Sequence, residues 1–126
     1  MLDGGKMDKY KYFSKNEMKC PCCGRVDMDD SFMQKLNAIR SELGRPMFAT
    51  SGYRCAEYNK SIGGHRNSAH MHGKAVDIKR IDGAYTREVS DLASKYNMQG
   101  IEIGSGHTHL DEGDRTVKVI WGGKSK

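Results

Sequence analysis

Residues 68–77 read Ser68-Ala69-His70-Met71-His72-Gly73-Lys74-Ala75-Val76-Asp77, and the stretch sets an imidazole and a carboxylate seven positions apart across a glycine. A neutral imidazole and a carboxylate suit a divalent zinc ion, and a catalytic zinc takes about three protein ligands. A third ligand is therefore expected elsewhere in the chain. The best candidate lies in Gly106-His107-Thr108-His109-Leu110-Asp111, where two histidines sit two apart. Residues two apart in an extended strand point to one face. His107, His109 and Asp111 can then look into one cleft while Thr108 and Leu110 face the other way.

Moving outward, Ser51-Gly52-Tyr53-Arg54, Asn59 and Gly63-Gly64 precede the Ser-x-His-x-x-Gly-x-Ala-x-Asp run of Ser68 to Asp77, and His109-Leu110-Asp111 follows it. In order and spacing this series resembles the zinc D-alanyl-D-alanine carboxypeptidase family. That family includes phage L-alanyl-D-glutamate endopeptidases and shares its fold with the hedgehog signalling domain. The resemblance runs from about Phe13 to about Asp111. It implies an α+β fold, a single compact domain with a small, mainly antiparallel sheet and flanking helices. It also implies zinc held by His70, Asp77 and His109, with Arg54, Ser68 and Tyr53 at the substrate. The implied reaction is hydrolysis of a peptide bond in the stem peptide of bacterial peptidoglycan, as carboxypeptidase or endolysin-type endopeptidase. Members of the family commonly carry an acidic residue three positions before the last ligand, and here that position is Gly106. His107 is the first choice to take over proton transfer, because an imidazole titrates near neutrality, and Glu102 is the second. Asp111 is expected to orient His109.

Composition bounds the alternatives. The chain has 126 residues, 37% hydrophobic and 29% charged, which suits one globular domain with a real core. No apolar run approaches the roughly 20 residues needed to cross a bilayer, so membrane insertion is not expected. Met1 to Asn16 is polar and lysine-rich, without the apolar stretch of a secretory signal. The expectation is synthesis in the cytoplasm and action at the bacterial wall or periplasm, as for a phage enzyme released at lysis. A net charge of +5 fits an anionic wall polymer as well as it fits nucleic acid. No nucleic-acid motif accompanies it, so no such partner is expected, and the protein is read as a monomer. Cys20, Cys22, Cys23 and Cys55 lack a second CxxC pair to complete a zinc site. Free thiols are the favoured reading over a metal site or a cystine.

In chain order, residues 1–12 read as a flexible arm, 13–121 as the zinc peptidase domain and 122–126 as a flexible tail. Ser14 and Glu17 form a capping-box signature for a short helical turn. Phe32, Leu36, Ile39 and Leu43 predict a core helix over about 30–44, stopped by Gly44. Pro46–Thr50 reads as a short β segment and Ala56–Ser61 as a helix or turn. Strands are expected at 74–79, 100–104, 107–111 and 116–121, with a second amphipathic helix over 86–98. The competing reading is an inactive, hedgehog-like zinc domain that binds wall or protein, motivated by Gly106.

Overall fold

The computed structural model describes residues 10–113 and the backbone of 119–122. Ser14 caps α1 (Lys15–Met18), and the reciprocal bond from the Ser14 backbone to Glu17 completes the capping box. Asp29 caps α2 (Asp30–Leu43) through the Phe32 N–H, and Gly44 ends it with φ 69°. Between them Phe32, Met33, Leu36, Ile39 and Leu43 are all buried, the stripe that the 3.6-residue period places on one face. Strand β1 (Ala49–Ser51) leads through Arg54 into α3 (Ala56–Ser61), then a 3-10 turn over Ala69–His72.

The remaining elements are β2 (Ala75–Lys79), α4 (Gly83–Lys95), β3 (Gly100–Ile103), β4 (His107–Asp111) and β5 (Val119–Gly122). The five strands form one sheet in the order β1-β2-β4-β3-β5. All neighbours are antiparallel except β3 and β5. Two helices and this sheet share one core, with α2 packed on α4 and α4 on β3 and β4. Among the described residues no helix is long and apolar enough to cross a membrane.

Register decides which side chains meet. Val76 pairs with Leu110 and Leu110 with Ile101, and this row is wholly buried in the core. The adjacent row is Asp77, His109 and Glu102. Side chains alternate along each strand, so that row lies on the opposite face. A one-residue slip would exchange the two rows.

Two expectations need correction. The arm drawn over 1–12 does not extend to Tyr10, which is buried in the core and whose hydroxyl bonds Asp30. Tyr12 lies under the Arg40 guanidinium at 4.3 Å. Aromatic rings interleaved with lysines still supply apolar area that α2 can cover. Helix α4 starts three residues before the expected Thr86, because Asp82 caps it by accepting from the Tyr85 N–H at 2.8 Å. It ends at Lys95, before Met98, with Asn97 in the left-handed region at φ 61°. The last strand is Val119–Gly122, and residues 116–118 of the expected span lie outside the described residues.

Gly73 links the turn that carries His70 to the strand that carries Asp77. It sits at φ 68°, and a Cβ there would lie 1.9 Å from the Asp27 carbonyl oxygen. Gly106 has open space around its Cβ position. Gly73→Ala should therefore lose more than about 2 kcal/mol in urea denaturation, and Gly106→Ala less than about 1 kcal/mol. Equal effects would contradict this reading of the Gly73 backbone.

Candidate functional site

Asp77 stands at the centre of the polar face, its side chain 6% exposed. Its two oxygens have different neighbours. Oδ2 accepts from Arg54 Nη2 at 3.1 Å, while Arg54 Nε donates to Ser51 Oγ at 3.1 Å. Oδ1 faces His109 Nδ1 at 2.9 Å, His70 Nε2 at 3.4 Å and His107 Nε2 at 3.9 Å. Burial alone would raise the Asp77 pKa. The hydrogen bond with His109 overturns that and holds the carboxyl well below the usual carboxylate range.

His70 is delivered by the 3-10 turn, which Ser68 caps by accepting from the His70 N–H at 3.2 Å. Its Nδ1 lies 2.7 Å from the Gly52 carbonyl oxygen. A carbonyl only accepts, so Nδ1 carries the proton and Nε2 presents a lone pair. Nε2 is buried without a hydrogen-bond partner among the described residues. Burial lowers the His70 pKa, against the opposing pull of Asp77, so the ring stays neutral. Two acceptors, His70 Nε2 and Asp77 Oδ1, thus face each other in a dry site. A proton donor or a cation between them relieves such a pair.

His109 completes the group from β4. Nδ1 points at Asp77 and Nε2 lies 2.8 Å from Asp111 Oδ2. Asp111 is itself fixed by the Gly113 N–H at 2.9 Å. Gly100 leaves room for that carboxylate, since a Cβ there would lie 2.4 Å from Asp111 Oδ2. Both ring nitrogens therefore face carboxylates. Burial pulls the His109 pKa down, but the bonds to Asp111 and Asp77 outweigh it and push it up to about 9.

His70, Asp77 and His109 each offer one donor atom, and the three atoms lie within 4.8 Å of one another. Tetrahedral zinc with N and O ligands at 2.0–2.2 Å sets its donors about 3.4 Å apart. The 3.4 Å between His70 and Asp77 matches that spacing. The 2.9 Å to His109 is the distance of a shared proton, which a metal ion would replace. The donor set fits the ion.

Other residues expected at the site are placed differently. Tyr53 is buried in the core, its ring 5.8 Å from the Arg25 guanidinium, and its N–H donates to the Met18 carbonyl. Ser68, implied at the substrate by the resemblance as Tyr53 is, caps the turn that carries His70. His107 is 28% exposed at the rim, and its buried Nε2 has no hydrogen-bond partner among the described residues. Glu102 is the cross-strand neighbour of His109. The Gly52 carbonyl, Gly100 and the Arg54–Asp77 ion pair went unread in the sequence. Only the glycine inside a strand carried a signal, that of close approach.

In the metal-free protein the His109 cation contributes stability that is fully present below its ordinary value of 6.5 and is lost as pH rises through about 9. Urea denaturation of chelator-treated protein should show a loss of about 3 kcal/mol between about pH 6 and pH 10 that His109→Asn lacks. Parallel profiles for the two proteins would show that His109 is not held as a cation.

The family model described as Peptidase M15 matches residues 11–111 of the chain. Over 91 residues the chain is 34% identical to the zinc D-Ala-D-Ala carboxypeptidase of Streptomyces albus G, across 65% of this chain and 34% of that protein. The chain spans about a third of the length of this curated relative.

Proposed function

The chain belongs to the Peptidase M15 family, and we propose that it is a zinc-dependent peptidase that hydrolyses a peptide bond in the stem peptide of bacterial peptidoglycan. The observation that carries this reading is the buried Oδ1 of Asp77 faced by the lone pair of His70 and by His109 Nδ1. On it, His70, Asp77 and His109 hold the ion. Zinc, when bound, supplies a Lewis acid that polarises the scissile carbonyl and lowers the pKa of the attacking water.

The protein's own groups do the rest. Arg54 fixes Asp77 with Nη2, and its buried Nη1 has no hydrogen-bond partner among the described residues. That N–H is a donor for the developing oxyanion or for a terminal carboxylate of the substrate. Gly52 and Asp111 fix the two imidazoles by their outer nitrogens. Ser68, which caps the turn carrying His70, and Tyr53, next to Arg54, are proposed at the substrate with Arg54. His107 moves the proton, since its ring shares the face of His109 and reaches to 3.9 Å from Asp77 Oδ1. The relative's name makes the terminal D-Ala–D-Ala bond the first substrate to test, and the L-Ala–D-Glu bond the second. The proposed setting is the cell wall, with a monomer acting alone.

Two sets of variants test this. Alanine at His70, Asp77 or His109 should remove the zinc bound at this site, read by elemental analysis. His107→Ala should keep that zinc and lose about 10²–10⁴-fold in turnover on muropeptides, with Glu102→Ala milder. Collapse in Glu102→Ala with near-normal His107→Ala would move proton transfer to the carboxylate. Gly106 favours one other reading, a zinc domain that binds the wall without cutting it. Mass spectrometry that finds no new terminus on any stem-peptide bond would establish it over the peptidase.

A further inference from the structure

The four cysteines take no part in the site above, yet they gather at one place. Cys20 and Cys23 sit at the ends of a tight knuckle, Cys20-Pro21-Cys22-Cys23-Gly24. Gly24 closes it at φ 73°, its N–H donating to the Cys20 carbonyl, while the Cys20 N–H donates to the Arg25 carbonyl, both at 2.8 Å. Cys55 comes from the residue after Arg54, 35 positions away in sequence, and its backbone N–H donates to Cys20 Sγ at 3.4 Å. An amide directed at the sulfur favours the thiolate, which is the metal-binding form.

The sulfurs of Cys20, Cys23 and Cys55 lie within 4.8 Å of one another. Cys22 lies between Cys20 and Cys23 in the same knuckle and is the fourth thiol there. All four thiols are free. Zinc with sulfur at about 2.3 Å sets sulfurs about 3.8 Å apart, and closed four-ligand sites of this kind are structural. A single cystine would use two of these sulfurs and leave the others stranded beside it. We propose that Cys20, Cys23 and Cys55, with Cys22 as the fourth sulfur, hold a structural zinc ion separate from the site at Asp77.

Such an ion ties the knuckle, which has no helix or strand of its own, to the residue next to Arg54. It thereby fixes the segment from which Arg54 reaches Asp77. The inference stands on the cysteine geometry alone, whether or not the peptidase reading holds.

The test is metal content and cobalt spectroscopy on the full chain, purified with zinc under reducing conditions. The unaltered protein should hold two zinc ions. Cobalt exchange should give the near-ultraviolet sulfur-to-cobalt charge-transfer band of a thiolate site. Cys55→Ser and Cys23→Ser should each lose one zinc and the band. His109→Ala should lose the other zinc and keep the band, which separates this site from the proposed catalytic one. Cys23 is exposed, so its variant keeps the test open if replacement at buried Cys20 prevents folding. One zinc in the unaltered protein with four freely alkylated thiols, or a mass two hydrogens lower that identifies a cystine, would overturn the proposal.

Discussion

A carboxylate buried with both oxygens committed is the constraint from which this fold is arranged. Asp77 Oδ2 belongs to Arg54, and Oδ1 is shared by two imidazoles. Removing a carboxylate from water costs several kcal/mol, and that cost is recovered only when each lone pair meets a well-placed partner. Strand β2 supplies the anchor for this geometry. Its Val76 and Ile78 are locked in the core, so the residue between them cannot move without unpacking both. Antiparallel pairing then sets His109 directly across from Asp77. The turn held by Gly73 brings His70 in from the side.

The groups behind the three donors matter as much as the donors. Gly52 decides which nitrogen of His70 is free, and Asp111 decides the same for His109. Each outer bond leaves one inward nitrogen aimed at one oxygen. Without a metal ion, the charge of Asp77 is balanced by Arg54 and by a proton on His109. Replacing that proton by a divalent cation keeps every outer contact. Metal loading thus needs proton loss at one ring and little rearrangement.

Much of this was legible because it rests on periodicity. The alternation in Lys74–Lys79 and in His107–Asp111 gave both faces of the sheet, and the stripe from Phe32 to Leu43 gave the core helix. The capping box at Ser14 and the stop at Gly44 are local chemistry and read directly. What stayed hidden was contact between distant segments through groups that carry no pattern. A backbone carbonyl at Gly52 has no sequence signature, and Arg54 next to Asp77 is a long-range pair with no spacing rule. Tyr10 was assigned to an arm because its neighbours are lysines, although its burial is decided by α2. The cysteines failed to match a two-pair spacing because Cys55 is brought to the knuckle by the fold.

The central claim is that Asp77, His70 and His109 form one cation site, with the free nitrogens set by Gly52 and Asp111. Nitrogen-15 NMR of the histidine rings, with chelator and then with zinc at neutral pH, tests it most directly. The account predicts that metal-free His109 carries protons on both nitrogens and that His70 carries one on Nδ1. On zinc addition His109 Nδ1 and His70 Nε2 should take metal-bound shifts while the protons toward Asp111 and Gly52 remain. Zinc that leaves both rings unchanged, or that binds His70 through Nδ1, would contradict it.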